Sequence, residues 1–449
     1  MVQGTSNIAM VTVPPPASLV AIVRSLRLLD PRELEVALAT WVDRAVARDL
    51  ELFALCPEPH RRDRIVCAAR ALGERWPRPE TRPALFAVPI GVKDLFRVDG
   101  LPTTAGSALP PEQLAGPQAS AVSRLEAVGA VVLAKTTTDE LAYADPPPTV
   151  NPHDSSRTPG GSSAGSAAGV AAGLFPVALG TQTSRSIIAP AAFCGVVGFK
   201  ASHGRAPLDG CVALAPSLDC LGVLAVDVVT AESAAAVVLD GWRRPSPRPP
   251  VLGVPVGAYQ DGLADLGWRA PFDLALEDLR AAGLDVRPIR LPWDTQLALT
   301  YRAAMAVLHG EMARTHAALV ARWPDRFRAR TQAGIARGLA ITDAELETDR
   351  ARGLELRLQL RTWMVEAGID LLVSPSQPGP PPRLGDRTAY GDTTTPWSFA
   401  GLPCLSVPAG TIDGLPFGLQ LIAQHGADEE LLAWGATIDA ALRRDPRPE

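Results

Sequence analysis

Residues 158–184 contain no Asp, Glu, Lys, Arg or His. So long an uncharged stretch limits the fold more than any other feature of the chain, because it has to be kept from water or lie in lipid. It is long enough to cross a bilayer, but Gly, Ser and Thr crowd it and Pro176 interrupts it. Both features favour a buried segment over a membrane anchor. Residues 162–174, rich in Ala and Gly, suit a helix packed closely among neighbours. Residues 177–179 read as a short buried strand, and 180–186 as a loop.

The rest of the chain can supply that burial. It has 449 residues, 47% hydrophobic and 20% charged, enough for two or three ordinary domains or one large α/β unit. The formal charge is −5 and there is no basic block, which argues against a nucleic-acid surface. The first 28 residues lack a secretory pattern, so the expectation is a cytoplasmic protein without a membrane partner. The six cysteines show no CxxC spacing and read as free buried thiols. No HExxH or other metal pattern is present, and neither metal nor organic cofactor is expected.

Residues 1–16 end in three prolines and read as a loose arm. Helical spacing follows at 19–29 and 34–50. Further on come a strand at 85–92, an amphipathic helix at 119–128 and a strand at 131–134. This β–α–β order predicts an α/β fold: a central mixed, mostly parallel sheet with helices on both faces. Strands at 251–256, 284–291, 371–374, 405–408 and 418–422 extend it. Helices are expected at 274–282 and 429–443, with largely helical, charge-rich sequence at 297–366.

Arginine dominates the basic residues; only Lys93, Lys135 and Lys200 are lysine. Arginine cannot be deprotonated in a protein, whereas a buried lysine can serve as a neutral base. Lys135 and Lys200 read as structural, completing strand ends or meeting carbonyls. Lys93, taken alone, could pair with Asp94.

The run Gly160-Gly161-Ser162-Ser163-Ala164-Gly165-Ser166 admits several readings. A phosphate cradle would need a Walker ending or GxGxxG, and neither is present. Gly161–Gly165 matches GxSxG, which would make Ser163 a nucleophile served by one of the downstream histidines. A wider set of motifs supports a third reading. Residues 88–94 and 100–107, Lys135 to Glu140, Asn151-Pro152-His153, residues 160–200, Ala215 to Asp219 and the C-terminal 396–403 and 418–422 together resemble the amidase signature family, in the family's order.

The resemblance implies an amidase-signature fold over 17–449, with a signature core at about 80–230 and a variable helical region at about 243–366. That region, with the 375–395 loop, is expected on the substrate side. It also implies a Ser–cisSer–Lys triad: Ser186 as nucleophile, Ser162 as bridging serine after a cis Gly161–Ser162 peptide, and Lys93 as base. Backbone N–H groups of Thr183, Ser184, Arg185 and Ser186 would form the oxyanion hole. Buried Cys194 reads as inert, and His153 and Asp219 as loop-positioning groups.

The loop departs from the family pattern. Ser184-Arg185 stands where glycines are usual, and Ile188 and Ala189 stand where an arginine often follows the nucleophile. Arg185 is therefore a candidate to contact an acidic or polar substrate group, with Gly161 beside it. The implied activity is hydrolysis of a small-molecule carboxamide. Acyl transfer to an amine, an inactive member and an ammonia-passing amidotransferase component remain open, as does a homodimer.

Overall fold

The computed structural model describes residues 19–245, 248–264, 266–386 and 393–443; the expected arm at 1–16 lies outside them. One ten-stranded sheet runs through the molecule. Its strands are β1 (Pro89–Lys93), β2 (Val131–Thr136), β3 (Val177–Gln182), β4 (Val197–Lys200), β5 (Cys220–Ala225), β6 (Val251–Val256), β7 (Asp285–Arg290), β8 (Leu371–Pro375), β9 (Cys404–Ile412) and β10 (Leu415–Ile422). Their spatial order is β2-β1-β3-β5-β4-β9-β10-β8-β6-β7.

The sheet is mixed, as expected, with its parallel pairs at the flanks: β2-β1-β3 at one side and β8-β6-β7 at the other. The five pairings between them are antiparallel. Parallel pairing thus dominates only where helical crossovers connect the strands; β4 and β5, not expected as strands from sequence, and the β9–β10 hairpin make the centre antiparallel.

Side chains alternate between the two faces of a strand, and the cores follow that rule. Ile90, Val92, Val132 and Leu179 face a core shared with helices Ser120–Ala127, Val228–Val238 and Arg269–Ala281. Leu133 and Ala178 face the opposite core, shared with helices Pro31–Asp49, Arg61–Arg75 and Leu297–Arg322. Gly91 and Lys93 fall on this second face, under helix Ala164–Ala171. The Phe175 ring fills the space between that helix and β1. A Cβ on Gly91 would lie 2.5 Å from the ring, and one on Gly169 would collide with it as well.

The uncharged stretch is mostly buried, as expected, with Gly173 exposed at a turn, and no helix among the described residues is long and apolar enough to cross a membrane. All six cysteines are free; Cys194, Cys220 and Cys404 are buried, but Cys67 is exposed, contrary to the expectation for the set.

Candidate active site

Because β1 and β3 are parallel, with Val92 opposite Leu179, their C-terminal ends meet at one edge. Lys93 closes β1, and Thr181 and Gln182 close β3. The chain between them makes its Gly/Ser turn at Gly160–Ser163 and enters helix Ala164–Ala171, bringing Ser162 over the same edge. The Gly161–Ser162 peptide is cis. Gly161 leaves room for nothing larger, since a Cβ there would collide with the Asp139 carboxylate.

Lys93 is fully buried. Its Nζ donates to Ser162 Oγ at 2.7 Å, Thr181 Oγ1 at 2.9 Å, Ser163 Oγ at 3.0 Å and the Thr181 carbonyl at 3.3 Å. None of these groups is a carboxylate. Burial pushes the Lys93 pKa down to about 7, against the opposing pull of Asp139 and Asp219. Asp94, its neighbour in sequence, instead pairs with Lys135 Nζ at 2.7 Å and accepts from Thr104 Oγ1 at 2.5 Å. Lys135 also donates to Thr103 Oγ1, and Lys200 donates to the Ala201 carbonyl at 2.9 Å.

Ser186 is largely buried, and its carbonyl accepts from Ser163 N at 3.3 Å, tying the 183–186 loop to the Gly/Ser turn. Its hydroxyl makes no hydrogen bond among the described residues, so the structure joins Lys93 to Ser162 directly but leaves the Ser162–Ser186 leg unclosed. Such contacts are often long in a free enzyme and tighten around substrate.

The loop is braced from several sides. Gln182 Oε1 accepts from Ile187 N at 2.7 Å and Ile188 N at 3.0 Å, while its Nε2 donates to Ser398 Oγ at 2.9 Å. Ser398 Oγ in turn donates to the Ser184 carbonyl at 2.6 Å. Thr183 Oγ1 donates to Asp219 Oδ1 at 2.5 Å, and Asp219 Oδ2 accepts from the backbone of Leu214 and Ala215. Desolvation raises the Asp219 pKa to about 6. The backbone N–H groups of Thr183, Ser184 and Ser186 have no acceptor among the described residues.

Arg185 is half-buried, and its charge reaches Asp139. Desolvation raises the Asp139 pKa to about 6, while Lys93, Arg185 and Arg328 pull it back. Asp139 N also donates to the Ser162 carbonyl at 3.3 Å. Neither Asp139 nor Gln182 stands out in the sequence: Asp139 is one letter of a longer motif, and Gln182 carries no charge to mark it.

The competing assignments find less support. Ser163 bonds to Lys93 and to the Thr181 carbonyl, and no histidine bonds to it among the described residues. Cys194 is buried, its thiol pKa pushed up by desolvation. His153 Nε2 meets the Cys194 carbonyl at 2.9 Å, a loop contact. Among the described residues no group of three or more His, Cys, Asp or Glu could hold a metal.

A cavity of about 200 Å³ opens beside Thr181. Its described wall comes from Leu95, Ala142, Thr181 and residues 208–219. A second cavity of about 200 Å³ is lined by Phe399 and from 293–303 and 352–359, within the helical region expected on the substrate side.

The family model described as Amidase matches residues 62–432. A glutamyl-tRNA(Gln) amidotransferase subunit from Anaeromyxobacter sp. (strain K) is 35% identical over 455 residues, covering 86% of this chain and 89% of that protein. A crystal structure of an amidase superposes with a TM-score of 0.85 at 33% identity, over 95% of this chain and 100% of the other. The peptide amidase of Stenotrophomonas maltophilia shares the fold, with a TM-score of 0.80 at 24% identity over 96% and 97% of the two chains.

Proposed function

The chain belongs to the amidase signature family, and on that premise we propose that it hydrolyses a small-molecule carboxamide through an acyl-Ser186 intermediate. The observation that carries this reading is the buried Lys93 amine, 2.7 Å from Ser162 and hydrogen-bonded only to hydroxyls and a carbonyl. An amine in that setting can be neutral near pH 7 and accept a proton.

In the proposed sequence Ser186 Oγ attacks the carbonyl carbon. Its proton passes to Ser162 Oγ as Ser162 gives its own to Lys93 Nζ. Negative charge moves to the carbonyl oxygen, where the N–H groups of the Thr183–Ser186 loop would meet it; one such donor is worth ~2.7–4 kcal/mol. The relay then reverses. Lys93 returns a proton through Ser162 to the departing nitrogen, the C–N bond breaks, and acyl-Ser186 remains. Water attacks that ester by the same route and releases the carboxylic acid. We assign no cofactor, and place the reaction in the cytoplasm, where free thiols persist.

Arg185 is proposed to face the polar side of the substrate. Arg185 is not in the described wall of the cavity beside Thr181. Arg185→Gly is expected to weaken turnover of lactamide, with its polar hydroxyl, more than that of propionamide; equal effects on both would remove Arg185 from the binding site.

Similarity to a component of an amidotransferase over 86% of the chain favours a second reading, in which the same serine takes ammonia from glutamine for a partner protein. Labelling with a fluorophosphonate, followed by peptide mapping and an ammonia-release panel of amides, tests both. The adduct is expected on Ser186, absent in Ser186→Ala and retained in Ser163→Ala. Activity confined to glutamine, or appearing only with a co-purified partner, would select the second reading. An amine acceptor in the assay would expose acyl transfer as aminolysis outrunning hydrolysis.

A further inference from the structure

We propose that the cavity beside Thr181 is an acyl pocket, and that the preferred substrates are uncharged carboxamides with a compact apolar acyl group, aromatic or linear. The inference rests on the hydrolase reading above and extends it to substrate class.

The walls carry the argument. Leu95, Ala142, Leu208, Val212 and Leu214 supply an apolar lining. The polar side chains at the wall are already engaged. Thr181 Oγ1 accepts from Lys93, and both Asp219 oxygens are held, by Thr183 on one side and by two backbone N–H groups on the other. The Cys211 thiol, its pKa pushed up to about 12 by burial, counts as a small neutral hydrophobe. A carboxylate entering this space would lose its hydration and meet the Asp219 carboxyl in the wall, whereas an apolar group gains by leaving water.

Position fits the same role. Thr181 bonds Lys93 directly, and Asp219 holds Thr183, where the Ser186 loop begins. The engaged polar edge of the cavity is therefore joined to the proposed catalytic hydrogen-bond network. Size sets the scale: an apolar cavity of about 150 Å³ accepts benzene, and this one measures about 200 Å³. A phenyl ring or a chain of about six carbons would fill it.

The test is ammonia release by the purified full chain from acetamide, hexanamide, octanamide, benzamide and glutamine, normalised to fluorophosphonate-labelled Ser186. Normalisation separates catalytic change from loss of folded protein. Four additional methylenes should raise kcat/KM for hexanamide over acetamide on the order of 100-fold, with glutamine far below both hexanamide and benzamide. Leu208→Trp, a loop substitution that narrows the space, should lower the hexanamide-to-acetamide ratio about tenfold or more. Leu208→Ala should raise the octanamide-to-hexanamide ratio. If Ser186 is labelled but glutamine or acetamide is cleaved as well as hexanamide, or if neither Leu208 variant moves its ratio, the pocket assignment falls and the hydrolase reading stands. If Ser186 takes no label and no amide is cleaved, the hydrolase reading fails and the pocket fails with it.

Discussion

Lys93 and Lys135 lie side by side at the ends of two parallel strands, one register position apart, with Val92 opposite Lys135 and Lys93 opposite Thr136. Both are buried. Lys135 receives the Asp94 carboxylate at 2.7 Å; Lys93, which precedes Asp94 in sequence, receives hydroxyls and a carbonyl. The same side chain is thus an ion-pair partner in one case and a candidate base in the other, and the direction in which Asp94 turns decides which. A buried ammonium needs an anion to offset its desolvation. Withholding that anion is a direct way to make an amine give up its proton.

Substitutions at the two sites test the contrast, beginning with the largest effect. Lys93→Met should lower kcat/KM by about 10³-fold or more while leaving the protein folded by circular dichroism. Lys93→Arg should be equally inactive, because a guanidinium keeps its proton. Activity surviving either change would place the base elsewhere. Lys135→Met should behave in the opposite way: Asp94 is left buried without its partner, and urea denaturation should report a loss of about 3–5 kcal/mol. Adding Asp94→Asn should recover part of it.

A neutral clamp should matter less than either charge. Gln182→Ala orphans the Ile187 and Ile188 N–H groups, at a cost of about 1–3 kcal/mol in stability, and loosens the nucleophile loop so that kcat falls with KM little changed. Loss of stability without loss of kcat would show that the clamp does not align Ser186.

The smallest effect is in pH. With the Lys93 pKa near 7, kcat/KM should rise as pH increases through about 7, where the amine loses its proton. Asp139 opposes that loss, so Asp139→Asn should move the acid limb to lower pH. A limb that stays in place would mean that Asp139 does not act on Lys93. Stability has a matching sign. The folded-state pKa is lowered from 10.5 to about 7, so the unfolded chain binds more protons between those values and wild-type stability gains from rising pH across that window. Lys93→Met should abolish that contribution.

Much of this can be read from the sequence, for identifiable reasons. β6 runs from Val251 to Val256 as expected, and most other strands in apolar runs fall within a few residues of their expected places. The strands β4 and β5 are not anticipated: β4 has four residues, and β5 interrupts its apolar run with Gly222, so neither offers a clear period. Helix Arg61–Arg75 also escapes notice, its weak apolar pattern submerged in arginine. At the site, motif order puts Lys93 and Ser162 together, and the structure places them 2.7 Å apart; the Ser162–Ser186 leg implied by the same motifs stays unclosed. The additional Lys93 partners Ser163 and Thr181, the Gln182 clamp and the Asp139 carboxylate beside Gly161 depend on which strand ends converge. Local pattern does not contain that information. The turn of Asp94 toward Lys135 follows from strand alternation, which puts Asp94 on the face opposite Lys93 and the same face as Val92 and its partner Lys135, but only once the pairing of the two strands is known.

The Phe175 ring between Gly91 and Gly169 works as a spacer. It sets the separation between the strand that ends in the candidate base and the helix that begins just after the relay serine, while forming no bond with either. The spacing of the candidate base and relay serine is therefore set in part by a purely hydrocarbon group. Trimming or swelling that ring offers a laboratory evolution campaign a dial on rate that leaves every polar group untouched.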